Sequence, residues 1–258
     1  MSGSVPRLAP TRLRFEALVV AIAASAALLG KASLIHVVVT PDAALRWGSV
    51  TALVLAGQFA FLLSNLDANR PEGGTLRRSL GVANGVTLLR GGLYAAAAGF
   101  VAVEPTAPLV WLPALGYGTG AALDWVDGAI ARALGGTSRL GAKLDLAFDT
   151  LGFVVAPVVA AAWGRLPVWY LALSAARFLF KGGVAWRRRR GRATFDLPES
   201  RVRRPLAGFQ MAFLALALAP VLPPSLLFAV APVALAPSLV VFARDYLVVS
   251  GRLGGEPA

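Results

Sequence analysis

The chain has 258 residues, of which 57% are hydrophobic and only 15% are charged, and its mean hydropathy is +0.68. Apolar runs of this extent exceed what a soluble domain of this size needs, so the composition excludes an ordinary soluble enzyme and indicates an integral membrane protein. The formal net charge of +12 does not require a nucleic acid partner, because arginines that orient membrane helices account for most of it.

Eight apolar segments predict eight helices, each close to the roughly 20 residues that a bilayer requires. Their predicted bounds are residues 15–38, 44–65, 80–102, 108–133, 141–163, 166–186, 205–221 and 224–249. Breaks rich in proline, glycine or charge separate them. The sequence therefore predicts an all-α fold, a polytopic bundle of membrane helices, whose first span is retained and not cleaved as a signal peptide.

Arginines cluster at helix ends that would share one side of the membrane. They are Arg7, Arg12 and Arg14 before the first helix, Arg70, Arg77 and Arg78 after the second, and Arg187 to Arg190 after the sixth. Positive residues mark the cytoplasmic side, so both termini and the loop between the fourth and fifth helices are expected there. Some of these arginines remain available to anionic lipids or phosphate.

Four aspartates interrupt the fourth and fifth predicted helices, in the segment DWVDGAIARALGGTSRLGAKLDLAFD at residues 124–149. A carboxylate in a membrane helix costs about 2.5 to 3.5 kcal/mol even on lenient insertion scales, so such residues normally mark a functional cavity. Helical spacing gives two faces: Asp124, Asp127, Gly128 and Ala131 on the fourth helix, and Gly141, Asp145 and Asp149 on the fifth.

A short loop at residues 134–140 would make these two helices antiparallel and bring the acidic faces together. Four converging carboxylates suit a divalent cation. An all-oxygen ligand set, in a chain that has no cysteine and a single histidine, His36, favours Mg²⁺ or Mn²⁺ over zinc or copper.

The spacing D-x2-D-G-x2-A-R-x8-G-x3-D-x3-D in this segment resembles the signature of the CDP-alcohol phosphatidyltransferases, and every fixed position is present. The resemblance implies a six-helix core over residues 80–250, followed by a tail at residues 251–258. Residues 1–66 would form two additional transmembrane helices, either a structural or dimer-forming addition or a fusion with a separate role. Residues 67–79 would form a cytoplasmic linker. We also expect a homodimer.

The family resemblance implies transfer of a phosphatidyl-type group from a CDP-linked lipid to an alcohol hydroxyl, with release of CMP. Two Mg²⁺ or Mn²⁺ ions would neutralise the diphosphate and stabilise the leaving CMP. Asp124, Asp127 and Asp145 are the expected metal ligands. Asp149 is the expected general base, and it would also contact a metal ion.

Seven residues are expected to contact the CDP-lipid: Asn84, Thr87, Arg90, Gly128, Ala131, Arg132 and Gly141. The first three resemble the N-x2-T-x2-R stretch of the first core helix in this family, which faces the cytidine nucleotide. The two glycines and the alanine have no side chain that would block the nucleotide. Arg132 would form an ion pair with a phosphate or with a neighbouring carboxylate.

Cations on the sixth helix and before the seventh form the expected acceptor site. Arg177 and Lys181 are four residues apart on one helix, and Arg204 precedes the next helix. Such a set suits a phosphorylated alcohol, for example glycerol 3-phosphate or inositol phosphate. Phosphatidylglycerophosphate synthases and phosphatidylinositol phosphate synthases are then the nearest branches, although the K-x-K-T-x2-Q motif of the former keeps only a cation and Gln210 here.

Two other functional classes stay open on sequence grounds. A magnesium-dependent intramembrane prenyltransferase would share the D-x3-D spacing and release pyrophosphate, but that class does not account for Gly128, Ala131, Arg132 and Gly141. A non-enzymatic ion transporter would also hold acidic residues within the membrane. It would move cations without releasing CMP.

Overall fold

A computed structural model describes residues 11–107, 109–133 and 138–253, except for the side chains of residues 125–133. Within these ranges the chain forms eight α-helices and no β-strand. The helices are α1 (Thr11–Val38), α2 (Pro41–Ser64), α3 (Gly81–Gly99), α4 (Leu112–Ala133), α5 (Arg139–Ala162), α6 (Ala172–Arg189), α7 (Arg203–Leu218) and α8 (Pro224–Val249). The eight predicted helices are confirmed. The largest difference is at the start of α6, where a 3₁₀ turn at Val168–Leu171 follows Pro167 and delays the α-helix.

Five of the described helices are long and apolar enough to cross a bilayer. They are α1, α2, α3 with its 3₁₀ extension to Ala102, α5 and α8. The remaining described helices include α7, whose 16 residues give a length of about 24 Å, shorter than the roughly 30 Å hydrocarbon core. The all-helical, polytopic membrane fold expected from composition is confirmed.

The helices belong to two compact units, Met1–Gly152 and Phe153–Ala258. In the first unit, α2 packs against α1 and α3, and α3 packs against α4. In the second unit, α8 packs against both α6 and α7. The candidate aspartates lie in the first unit, and the candidate acceptor cations lie in the second.

Glycines allow α3 to pack closely against α4 and α5. A Cβ atom added to Gly120 of α4 would lie 2.5 Å from the ring of Tyr94 on α3, which is fully buried. One added to Gly91 of α3 would lie 2.7 Å from the ring of Phe148 on α5. Small residues at helix contacts let backbones approach. The polar side chains of these three helices are therefore brought within reach of one another.

In the second unit, buried polar groups connect the helices. The hydroxyl of Tyr170 donates to Gln210 at 2.7 Å, and the Gln210 amide donates to the Ala234 carbonyl at 2.6 Å and to the Ser238 hydroxyl at 2.9 Å. Gln210 is buried, and these bonds satisfy its amide, as burial of a polar group requires. They fix the relative positions of α7 and α8.

Candidate active site

Three of the four aspartates come together at one site in the first unit. Asp124 is on α4, and Asp145 and Asp149 are one turn apart on α5. Each offers a carboxylate oxygen, and the three oxygens lie within 4.8 Å of one another. That spread is compatible with one or two bridged cations at metal-to-oxygen distances of about 2.0 to 2.6 Å. The predicted convergence is confirmed for these three residues.

The other predicted site residues of α4 lie outside the described side chains. They are Asp127, Gly128, Ala131 and Arg132. The α4 backbone is helical as far as Ala133, so the expected spacing of one turn between Asp124 and Asp127 holds. Their roles stay predictions.

The guanidinium of Arg90 lies among the three carboxylates. Its side chain extends from α3 and is fully buried. It forms an ion pair with Asp124, a 2.6 Å ion pair with Asp145, and a 3.4 Å contact with Asp149. Arg90 was predicted to contact the CDP-lipid, but its ion pairs with the three aspartates were not predicted. A signal was present, because an arginine in an apolar helix needs a charged partner.

These side chains fit a divalent cation. Carboxylate oxygens are the ligands that Mg²⁺ and Mn²⁺ prefer. Three carboxylates and one guanidinium leave a formal charge of minus two, which one divalent ion neutralises. The carboxylates are only partly buried, with 27% to 47% of each side chain exposed, so an ion can reach them.

Asn84 and Gly141, both predicted to contact the CDP-lipid, are neighbours in the structure. Asn84 is buried, and its amide donates to the Leu80 carbonyl at 2.8 Å and approaches Ser138 Oγ at 3.4 Å. A Cβ atom on residue 141 would lie 2.7 Å from Asn84 Oδ1. Gly141 therefore allows α5 to pack against α3. This packing is a second reason for glycine at position 141, beside the predicted room for the nucleotide.

The start of α5 is also fixed locally. Ser138 precedes the helix, and its hydroxyl accepts a 2.9 Å hydrogen bond from the Gly141 amide, as an N-cap serine does. The second member of the predicted motif on α3, Thr87, is buried and donates to the Ala83 carbonyl at 3.1 Å. All three members of the motif, Asn84, Thr87 and Arg90, are thus buried on α3.

The predicted acceptor cations differ in their surroundings within the second unit. Arg177 is half-buried on α6, with its guanidinium 5.5 Å from the centre of the Phe153 ring. It lines a cavity of about 230 Å³. Lys181 and Arg204 are exposed and do not line this cavity. Of the three predicted acceptor residues, Arg177 alone therefore lines this cavity.

Arg203, one of the cations expected to contribute to a phosphate pocket before the seventh helix, lines the same cavity. Its guanidinium binds both carboxylate oxygens of Asp245 on α8, at 2.7 and 3.2 Å, and Asp245 is buried. Gln210 and Ser238 line the same cavity. Asp245, the one acidic residue of the mostly apolar α8, was the sequence signal for this pair, because a buried charge requires compensation.

Comparison with known proteins adds an independent observation. The family model described as CDP-alcohol phosphatidyltransferase matches residues 80–244. A stretch of 48 residues is 50% identical to proteins named "Putative cardiolipin synthase" from Mycobacterium bovis and from two strains of Mycobacterium tuberculosis, and it covers 19% of this chain and 23% of each relative. The chain thus matches about a quarter of the length of these relatives. No solved structure matches the chain.

Replacing Arg90 with glutamine tests the charge balance of this site. Arg90→Gln leaves three carboxylates without their cation, so we expect a lower melting temperature in EDTA, from a loss of about 3 to 5 kcal/mol as for a broken buried ion pair. Mn²⁺ should then raise the melting temperature more in the variant than in the parent protein. Arg90→Lys, which keeps the charge, should show a smaller change. Equal Mn²⁺-induced shifts in all three proteins would contradict this account.

Proposed function

Because the chain belongs to the CDP-alcohol phosphatidyltransferase family, we propose that it is an integral membrane enzyme of phospholipid synthesis. It transfers a phosphatidyl-type group from a CDP-linked lipid to the hydroxyl of an alcohol and releases CMP. One observation carries this proposal: Asp124, Asp145 and Asp149, in the spacing of the family signature, converge to within 4.8 Å from two helices.

The charge of the substrate explains why such a site is needed. The diphosphate of a CDP-linked lipid is negative and repels an approaching hydroxyl oxygen, so the site must supply positive charge. Divalent ions would neutralise the diphosphate and stabilise the departing CMP. The residues that would hold them are Asp124, Asp127, Asp145 and Asp149. Arg90 supplies a fixed positive charge beside them.

We assign the general-base role to Asp149. It accepts the proton of the acceptor hydroxyl while the hydroxyl oxygen bonds to the phosphorus that carries the lipid. The bond from that phosphorus to the CMP oxygen breaks, and CMP departs with the electron pair. The proposal is supported by the position of Asp149 beside Arg90 and the other two carboxylates.

The nucleotide is proposed to lie between α3 and α4. Thr87 and Arg90 are three residues apart and share a face of α3, and Asn84 precedes them by one turn. Gly128, Ala131 and Arg132 on α4, together with Gly141 on α5, complete the proposed CDP-lipid contacts. Support for this set is the family signature and the confirmed helical spacing of α4.

The acceptor is proposed to carry a phosphate group. A guanidinium such as that of Arg177 presents paired N–H donors that match phosphate oxygens. It lines a cavity with the Arg203 and Asp245 pair, in which a carboxylate oxygen can accept hydrogen bonds from a polyol. Lys181 and Arg204 are proposed to attract the anionic acceptor from the aqueous phase.

A second acceptor is favoured by the name of the mycobacterial relatives. Cardiolipin has two phosphatidyl groups on one glycerol, so transfer of a phosphatidyl group to phosphatidylglycerol would form it. Glycerol 3-phosphate and phosphatidylglycerol both present a glycerol hydroxyl beside a phosphate. The same cationic cavity would suit either of them.

The direct test uses purified protein with Mg²⁺ or Mn²⁺, CDP-diacylglycerol and a panel of acceptors. The panel contains glycerol 3-phosphate, inositol phosphate, phosphatidylglycerol and unphosphorylated serine. We expect CMP release and a new lipid, identified by mass, with a phosphate-bearing acceptor. Pyrophosphate release from a prenyl diphosphate, or cation flux without CMP release, would instead support one of the alternative classes.

Two carboxylate substitutions should have different effects. Asp149→Asn should retain most of the metal and nucleotide binding but lower kcat by roughly 10²- to 10⁴-fold, because it removes the proton acceptor. Asp124→Asn should instead weaken Mn²⁺ binding itself, measured by calorimetry. An Asp149→Asn enzyme with the activity of the parent protein would remove Asp149 as the base.

Substitution of Arg177 tests the acceptor site. Arg177→Ala removes a charge-assisted contact of about 1.5 to 3 kcal/mol, so the KM for the phosphate-bearing acceptor should rise roughly 10- to 150-fold, with little change in the KM for the CDP-lipid. Arg188→Ala, an exposed arginine on the same helix, is the matched control and should change neither constant. An unchanged acceptor KM in Arg177→Ala would exclude this role.

Labelling of introduced cysteines tests the proposal that both termini and the active site face the cytoplasm. The chain has no cysteine, so a single substitution reports one position. Glu72→Cys, between α2 and α3, should be protected from a membrane-impermeant maleimide in intact cells. Glu104→Cys, on the other side of α3, should react. The opposite pattern would invert the proposed topology.

A further inference from the structure

Glu16 is an acidic residue within the apolar helix α1, and it is not part of the aspartate cluster. Its carboxylate accepts a hydrogen bond from the Ser79 hydroxyl and another from the Leu80 amide, each at 2.8 Å. On its other side, Arg12 donates to it at 3.1 Å. Glu16 thus connects α1 to the two residues that immediately precede α3.

The N-cap residue of α3 supplies no side-chain cap. The first amides of a helix have no partner within the helix, and serine, threonine, aspartate or asparagine usually supplies one. Here the N-cap residue is Leu80, whose side chain forms no such bond. The Ser79 hydroxyl accepts a 3.3 Å hydrogen bond from the Gly81 amide, and the Glu16 carboxylate accepts from the Ser79 hydroxyl and from the Leu80 amide. A residue of another helix thus completes this helix start, and its negative charge complements the positive end of the α3 dipole.

The linker before α3 reinforces this cap. Asn69 is fully buried, and its amide donates to the Ser79 carbonyl at 2.8 Å. Its side-chain oxygen accepts a 3.3 Å bond from Asn84, one turn into α3. Asn69 therefore holds Ser79, just before α3, and Asn84, within its first turns.

Helix α2 holds α3 at two further points. The Gln58 amide donates to the Gly91 carbonyl at 2.8 Å, directly after Arg90, and the Trp47 indole donates to the Ala96 carbonyl at 3.0 Å. Gly99 allows this approach, because a Cβ atom there would collide with Trp47 and Thr51. The attachment points thus extend from the two residues before α3 to its last turn.

We infer that α1 and α2 form a clamp that positions α3, with Glu16 as its N-terminal cap. The inference rests on the proposed function, because α3 carries Asn84, Thr87 and Arg90. These residues lie between the Glu16 attachment and the Trp47 attachment. A shift of α3 would move Arg90 relative to the carboxylates on α4 and α5. Glu16 itself is a positioning residue, and the clamp gives the two helices that precede the family match a defined role.

Hydrogen–deuterium exchange of the full-length protein tests the clamp without reference to activity. In Glu16→Ala, amides of residues 80–85 should exchange roughly 5- to 30-fold faster than in the parent protein, as for loss of a helix cap. Arg12→Ala is the matched control, because it removes the other partner of Glu16 and leaves the cap in place. Unchanged exchange at residues 80–85 in Glu16→Ala would overturn the clamp, whatever the enzyme does.

Kinetics then separate positioning from general loss of structure. Glu16→Ala should raise the KM for CDP-diacylglycerol several-fold and leave the acceptor KM unchanged. Glu16→Gln should restore part of the loss, because its amide oxygen can still accept from Ser79 and Leu80 but carries no negative charge. If Glu16→Ala does not fold, Gln58→Leu tests the second attachment. Ser49→Ala is the control, since the Ser49 hydroxyl donates to the Leu45 carbonyl within α2. Equal CDP-lipid KM values in Gln58→Leu and Ser49→Ala would then count against the clamp.

A failure of the proposed function would look different. The parent protein would then release no CMP from CDP-diacylglycerol with any acceptor, while the exchange difference between Glu16→Ala and Arg12→Ala would persist. The role of α1 and α2 in holding α3 would stand, and only the substrate that α3 contacts would need to be revised.

Discussion

The structure depends on the compensation of three carboxylates by one buried guanidinium. Asp124, Asp145 and Asp149 come from two helices, and Arg90 comes from a third. Charges in a membrane protein are costly unless they are paired, so each helix can keep its charged residue only if all three helices meet at this point. The same electrostatic requirement makes the site suitable for a divalent ion and for a negatively charged diphosphate.

Close packing makes this charge cluster possible. Gly91 and Gly120 let α3 approach α5 and α4, and Gly141 lies against Asn84 without a side chain between them. The Leu80 amide donates a hydrogen bond to Glu16 of α1, and Gln58 and Trp47 of α2 donate to carbonyls of α3, so these two helices hold α3 in place. The residues of α3 that are proposed to bind substrate therefore lie between the points where α1 and α2 attach to this helix. Such support is what keeps a catalytic arrangement within the narrow tolerance that chemistry requires.

Much of this architecture was predictable from the sequence, for physical reasons. Apolar runs bounded by proline and charge gave all eight helices, and the spacing of Asp145 and Asp149 gave their shared face on α5. Contacts between residues that are far apart in the sequence were harder to predict. The ion pairs of Arg90 and of Arg203, and the cap supplied by Glu16, join residues 34 to 64 positions apart. Periodicity identifies the face of a helix but not the partner of that face, so these pairs appeared only in the structure.

The most direct test of the central claim is the position of a bound ion. Crystals of the protein with Mn²⁺ and CMP would locate manganese by its anomalous scattering. The account predicts manganese at about 2.0 to 2.6 Å from carboxylate oxygens of Asp124, Asp145 and Asp149, with a CMP phosphate beside it. Bound CMP with manganese elsewhere, or with no manganese and Arg90 still paired to all three carboxylates, would contradict it.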